Sequence, residues 1–224
     1  MRLVQLNKTI LSLQNNPQAF LNGLTSNAVD QPRNAFLNIH GRIIATFDQI
    51  IINENEMQLV IENDYVQAVS AHLDRYLKLA GVQLDSLKDV VYFDLEGDCF
   101  LEEGDRVILQ KKGRLLLTTK LRNADVSAEE FTLFRLQHNI PMLGVDYKDE
   151  MLLNVATDEF VSFTKGCYLG QEPISKVYNR SKPTWKLVVK YEDECNEEEK
   201  QKMTSIVEGP VKQKRKGFVF VRNI

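Results

Sequence analysis

The spacing of apolar positions alternates short strand patterns with helical ones along the whole chain. Gln18 to Gly23 reads as a short helix, with Asn16 as N-cap, Pro17 at its first position and Gly23 as its stop. Ala35-Phe36-Leu37 and Ile43 to Phe47 flank a turn at His40-Gly41, while Ile50 to Ile52 and Met57 to Ile61 flank Asn53-Glu54-Asn55-Glu56, so two hairpins are predicted. Asp64 to Ala80 is the clearest helix, with Val66, Val69, Leu73, Tyr76 and Leu77 three or four apart and Gly81 after the last turn. Leu87 to Leu95 reads as a strand, and Arg106 to Gln110 with Arg114 to Thr119 as a hairpin around Lys111-Lys112-Gly113. Ser127 and Glu130 spell a capping box, stapled by Val126 and Phe131, for a helix running to His138. Phe160-Val161-Ser162-Phe163 alternates as a strand, and the turn after it leads into a helix near Gly170. Tyr178 to Pro183 reads as a linker, Trp185 to Tyr191 and Gly217 to Arg222 as strands, and Glu192 to Lys202 between them as a charged stretch, mobile around Glu197. Strands and helices in this irregular order, without regular βαβ spacing, predict an α+β protein.

Composition narrows the class without changing this picture. A chain of 224 residues, 43% hydrophobic and 26% charged, buries a sizeable core. Its net charge of -3 gives no reason to expect direct nucleic-acid binding. Met1 to Lys8 has no signal-peptide core, and the most apolar region, Ile43 to Ile52, is broken by Thr46, Asp48 and Gln49, so neither membrane insertion nor secretion is expected and the predicted location is the cytoplasm. Cys99, Cys167 and Cys195 are odd in number and form no CxxC pair, which argues against a disulfide framework and a self-contained metal site. His40 sits in a turn without a second ligand at metal spacing and reads as a solvated residue. The basic run Lys212 to Lys216 reads as a solvated loop or, at most, a patch for an acidic partner.

The chemistry concentrates at Thr164 to Pro173. One thiol, Cys167, stands between Gly166 and Gly170, two residues after Lys165 and just before a helix N-terminus. The helix dipole and the Lys165 ammonium would both favour thiolate. From the residues alone, a reactive or ligand-binding cysteine stands beside the commoner use, a packed cysteine in a tight connection.

Lys165-Gly-Cys-Tyr-Leu-Gly-Gln-Glu172 resembles the K-G-C-[FY]-x-G-Q-E signature of YgfZ-type proteins, a branch of the folate-binding superfamily that includes the glycine cleavage T protein, an aminomethyltransferase. Three further segments resemble that superfamily in matching order. Leu24 to Val29 is similar to a T-N-D-V element bordering the folate cavity, with Asn27 kept and the aspartate replaced by Ala28. Ala35 to Phe47 is similar to A-F-L-x-x-x-G-R-I-x-A-x-F and contains Arg42, either an anion-binding guanidinium or a surface strand residue. Arg135 to Pro141 is similar to R-x-E-A-G-x-P, with Gln137 in place of the pterin-contacting glutamate, and an amide there weakens pterin recognition. Asn154 is kept although the usual preceding proline is not.

The resemblance implies ferredoxin-like sheet-and-helix units over residues 1–180, an abbreviated C-terminal β-barrel over 181–224, and a central cavity for tetrahydrofolate or a derivative. It marks Asn27, Gln137, Asn154, Arg42, Tyr168, Gln171 and Glu172 as cofactor-binding and Cys167 and Lys165 as catalytic. The implied function is an accessory protein for iron–sulfur cluster assembly or repair in client enzymes, including those that modify tRNA. An aminomethyltransferase-like one-carbon transferase and a folate-independent binding module are the alternatives.

Overall fold

A computed structural model describes residues 2–155, 159–209 and 214–223. The chain opens with two strands, β1 (Leu3–Leu6) and β2 (Lys8–Gln14), which enter different sheets. Alternation does not predict β2, because Ile10, Leu11, Ser12 and Leu13 are all buried and the strand is covered on both faces. In α1 (Pro17–Asn22) the start is set by Pro17: Asn16 is left-handed (φ 60°) and makes no side-chain cap bond, contrary to its expected role.

The two predicted hairpins form from β3 (Arg33–Leu37), β4 (Ile43–Asn53) and β5 (Glu56–Glu62), with Ile50 to Ile52 as the end of one long strand. Gly81, at φ 68°, closes α2 (Val66–Ala80). The predicted Leu87–Leu95 strand is in fact two, β6 (Gln83–Leu87) and β7 (Val90–Asp94), and the basic hairpin is β8 (Arg106–Leu109) and β9 (Arg114–Thr118). The capping box of α3 (Ala128–His138) is closed in both directions: Glu130 N–H donates to Ser127 Oγ at 3.2 Å and Ser127 N–H to Glu130 Oε2 at 2.9 Å.

Beyond α3 the sequence is less legible. After a short α4 (Leu152–Val155), residues 160–163 form no strand, although Phe160 and Val161 are buried. Then α5 (Gln171–Arg180) absorbs the first half of the expected linker. The strand β10 (Trp185–Tyr191) is as predicted, whereas the charged stretch forms α6 (Glu197–Lys202), capped by Asn196 and Glu199. An unpredicted β11 (Thr204–Glu208) precedes β12 (Arg215–Arg222). Of the basic run, Lys212 and Gln213 lie outside the described residues; Lys214 pairs with Asp193 and Arg215 with Glu192.

All three sheets are antiparallel, in the orders β3-β4-β5-β2-β6, β1-β7-β9-β8 and β10-β12-β11. The period of two sorts the five-stranded sheet's faces. Leu11, Leu13, Met57, Leu59 and Ile61 share a core with Val69 and Leu73 of α2, while Ile10 and Val60 pack with Val91, Phe93, Leu115 and Leu117 of the four-stranded sheet and Phe131 of α3. Each such Leu or Ile side chain contributes about 1.5–3 kcal/mol through burial. The two tail strands pair from Trp185↔Arg222 to Tyr191↔Lys216, as their apolar patterns require. Leu187 and Phe218 of this third sheet join the largest core, so the C-terminal segment docks on the body. Among the described residues no helix is long and apolar enough to cross a membrane.

One element carries a pH dependence. His72 on α2 lies 5.6 Å from the Phe36 ring and 6.1 Å from that of Tyr76, with Nε2 buried and unpartnered. Burial, reinforced by the Arg75 charge, pushes its pKa below the usual 6.5. The unfolded chain therefore takes up the proton first, so this contribution to stability is full above pH 6.5 and falls as the pH drops towards the folded value. Urea unfolding midpoints should fall between pH 7 and pH 5.5 in the native protein and fall less in His72→Leu. Identical slopes would show that His72 does not carry the effect.

Candidate functional site: a cavity where the three sheets meet

A cavity of about 900 Å³ opens where the β8–β9 turn, the segment before β3, α4 and the start of β10 converge. Pro141, Leu153, Val155, Phe160, Trp185 and Leu187 give it apolar walls. Asn27, Asn139 and Asn154 supply amides, and Arg33, Lys111, Lys182, Lys186 and Glu159 supply charge. Such a volume, lined about equally by apolar and polar side chains, is large enough for a ligand of cofactor size.

Local chemistry explains the walls. Asn27 is buried, and its amide is largely spent on holding the site together: Nδ2 donates to the carbonyls of Arg33 and Glu159, each at 3.0 Å, and Oδ1 accepts from Ala28 N–H at 2.9 Å. One oxygen lone pair is left for a ligand. Asn154 is freer. Its Nδ2 donates to Glu150 Oε2 at 3.3 Å, and no protein donor reaches its Oδ1 among the described residues.

Arg33 forms the cavity's inner limit. It is ion-paired to Glu159 on one side and to Asp48 at 3.4 Å on the other, with its guanidinium 4.4 Å from the Phe160 ring centroid. Behind it lies a small chamber of about 40 Å³, room for a water or two. There Lys8 bridges Asp48 at 3.2 Å and Glu62 at 3.1 Å. Burial alone would lower the Lys8 pKa, but the two carboxylates outweigh it and hold the ammonium above its usual range. Tyr147 caps the chamber through a 2.6 Å hydrogen bond with Thr46, and burial pushes its hydroxyl up to about 12.

The signature residues lie apart from this cavity: Lys165, Cys167, Tyr168, Gln171 and Glu172 do not line it. Cys167 is exposed in the turn before α5. The Lys165 ammonium, expected beside the thiol, instead donates to the carbonyls of Thr25 at 2.6 Å and Asn27 at 2.9 Å and faces the Tyr168 ring at 5.2 Å. Burial lowers its pKa to about 8 and raises that of the buried Tyr168 to about 12. Lys165 thus ties the signature turn to the Asn27 corner of the cavity. Glu172 is exposed in the first turn of α5, where a carboxylate complements the helix dipole. Gln171 is half-buried, and its N–H donates to the Tyr168 carbonyl at 3.2 Å.

Two other expected pocket residues are elsewhere. Gln137 is exposed on α3 and does not line the cavity; Asn139 and Pro141 represent that segment there. Arg42 pairs with Asp149 at 3.0 Å and also donates to its carbonyl, so it fastens the 147–151 loop to the start of β4. Sequence reasoning missed Arg33, Glu159 and Trp185. A charged residue opening a buried strand is the signal for Arg33, since such a side chain needs a built partner. Among the described residues no three His, Cys, Asp or Glu side chains gather to hold a metal ion.

No protein-family model and no curated protein matches this sequence. Among solved structures the chain resembles glycine cleavage system aminomethyltransferase T from Bartonella henselae, with a TM-score of 0.72 at 14% identity over 98% of this chain and 78% of that one, so the likeness is one of fold.

Proposed function

We propose that the protein binds a reduced folate, tetrahydrofolate or a derivative, in the 900 Å³ cavity and acts as an accessory protein in iron–sulfur cluster assembly or repair, with the Cys167 turn as the face presented to clients. The observation that carries the ligand reading is that Asn27 and Asn154, far apart in sequence, both line that cavity. The fit is good in kind. Trp185, 39% exposed, offers an aromatic face for a flat heterocycle, the Asn154 oxygen, which no donor among the described residues reaches, can accept from its N–H groups, and Asn27 keeps Glu159 and Arg33 in place. Bound folate would supply a one-carbon carrier. The reading of Cys167 is supported by its exposure and by the segment around it, which resembles the YgfZ-type signature. The aminomethyltransferase fold of the structural neighbour keeps one-carbon transfer as the second reading.

Calorimetry with tetrahydrofolate tests the first step. Saturable heat is expected from the native protein, weakened about tenfold by Asn154→Ala, as for loss of one hydrogen bond to a buried partner. Absence of heat from the native protein would end the folate reading. Cys167→Ser should fold normally and bind folate, yet fail to support cluster-dependent client enzymes. Full support from that variant would remove Cys167 from the function, and aminomethyl transfer to tetrahydrofolate would favour the second reading.

A further inference from the structure

The Asn27 corner of the cavity and the Cys167 turn are one hydrogen-bonded unit. Residues 23–27, which lead from α1 towards β3, run beside residues 159–169: Asn27 Nδ2 donates to the Glu159 carbonyl at 3.0 Å, Ser26 Oγ to that of Phe160 at 2.6 Å, and Ser162 N–H to that of Ser26 at 3.0 Å. Further along, Lys165 Nζ reaches the carbonyls of Thr25 and Asn27, and Leu169 N–H donates to that of Gly23 at 3.1 Å. Asn27, Glu159 and Phe160 line the cavity at one end of this ladder. At the other end Gly166 and Cys167 are exposed, and a Cβ at Gly166 would meet nothing within 4 Å, so these two are placed by the residues that flank them. Of those, Lys165 is the one that reaches Asn27 itself: its half-buried ammonium has no carboxylate partner among the described residues and is held by the two carbonyl dipoles.

We infer, resting on the folate reading for the ligand, that Lys165 is a positioning residue through which an occupied cavity orders the Cys167 turn, so that the thiol is held in one place when the ligand is loaded. The turn has two arrangements, with Lys165 seated on the Thr25 and Asn27 carbonyls or withdrawn from them. A ligand packed against Asn27 and Phe160 prefers the corner as the seated lysine holds it. Such coupling is reciprocal: the ligand favours seating by the same factor by which seating favours the ligand. A partner that pulls the turn open therefore loosens the ligand.

Trypsin reads the withdrawn state directly, because it must take the Lys165 side chain into its own specificity pocket to cut the 165–166 bond. With tetrahydrofolate added to the native protein, that cleavage should slow and then level off at about tenfold once calorimetry shows the cavity full, within the usual span of coupling between sites. Lys165→Met, which leaves the turn withdrawn, should bind tetrahydrofolate more weakly by the same factor of about ten. A ligand-free arm uses melting. The Asn27 side chain makes no bond to Lys165, so coupling of corner and turn predicts that the double variant Asn27→Ala, Lys165→Met loses less than the sum of the two single losses. Saturable heat without protection of the 165–166 bond, protection that keeps growing with ligand as for global unfolding, or an unchanged affinity in Lys165→Met would overturn the inference and leave the folate reading intact. Additive melting losses would overturn it whether or not folate binds. Absence of heat with sub-additive losses would end the folate reading and keep the link between corner and turn.

Discussion

Gly170→Ala is expected to destabilise the protein by about 2–5 kcal/mol, a lowering of the melting temperature of roughly 10 °C for a chain this long. Gly170 precedes α5 with φ 83°, a conformation that costs an alanine roughly 1–2 kcal/mol. A Cβ there would stand 2.5 Å from the Asn38 carbonyl oxygen and 3.0 Å from Leu37 Cβ, and the backbone carbonyl cannot swing aside as a side chain could. Overpacking of that kind adds roughly 1–3 kcal/mol. The same turn is gripped from the other side, because Gly41 (φ 74°) lets the β3–β4 turn approach Pro173 and Ile174 of α5. Gly166→Ala is the matched control: it lies in the same loop, and a Cβ there meets nothing within 4 Å. Calorimetric melting should separate the two variants clearly. Equal melting temperatures would show that the signature turn is not held as tightly as its geometry requires. The second glycine of the signature is thus a packing requirement, whatever the thiol between the two does.

Local rules read well where one short-range signal decides. The Ser127–Glu130 box, the Gly81 stop of α2 and the Lys111-Lys112-Gly113 hairpin depend on neighbours in sequence and form as read. Failures came where long-range burial decides instead. β2 is central in its sheet, so both its faces are apolar and its alternation disappears. Phe160 and Val161 are buried by the body while their backbone pairs with no strand, which an apolar alternation cannot distinguish from β structure. The charged α6 shows the reverse: it looked too polar to order, but its Asn196 cap and its Glu197–Lys200 and Glu198–Lys202 pairs stabilise a short helix on the surface. For the site, Asn27 and Asn154, singled out by resemblance, both line the cavity, yet nothing in the sequence hinted that Lys165 would spend its charge on the Asn27 carbonyl. A motif records which residues recur together; which atoms face each other is settled by the turn that carries them.

Asp146→Ala should cost about 3–5 kcal/mol, the penalty for stranding a buried charge. Asp146 and Arg135 are nearly inaccessible, with side-chain exposures of 0% and 4%, and are joined at 2.6 Å. Arg135 also donates to the Ile140 carbonyl at 3.3 Å and to Ser205 Oγ at 2.7 Å, and its Nε is buried without a partner. Asp146 accepts from Met142 N–H at 2.8 Å, Thr204 Oγ1 at 2.8 Å and Ser205 Oγ at 2.5 Å. The pair therefore clasps three parts of the chain: α3, the 142–147 loop and the start of β11. Removing the carboxylate leaves the buried guanidinium without its counter-ion and takes the acceptor from two hydroxyls and a backbone N–H, and the C-terminal sheet loses a polar anchor to the body. The double variant Arg135→Met, Asp146→Leu removes both charges and should be markedly more stable than Asp146→Ala, because no uncompensated ion is left. Since Trp185, Lys186 and Leu187 of that sheet form one wall of the cavity, Asp146→Ala should also weaken ligand binding, and limited proteolysis should cut its C-terminal segment faster. A double variant no more stable than Asp146→Ala would locate the energy of this junction in its hydroxyl and apolar contacts instead of its charges.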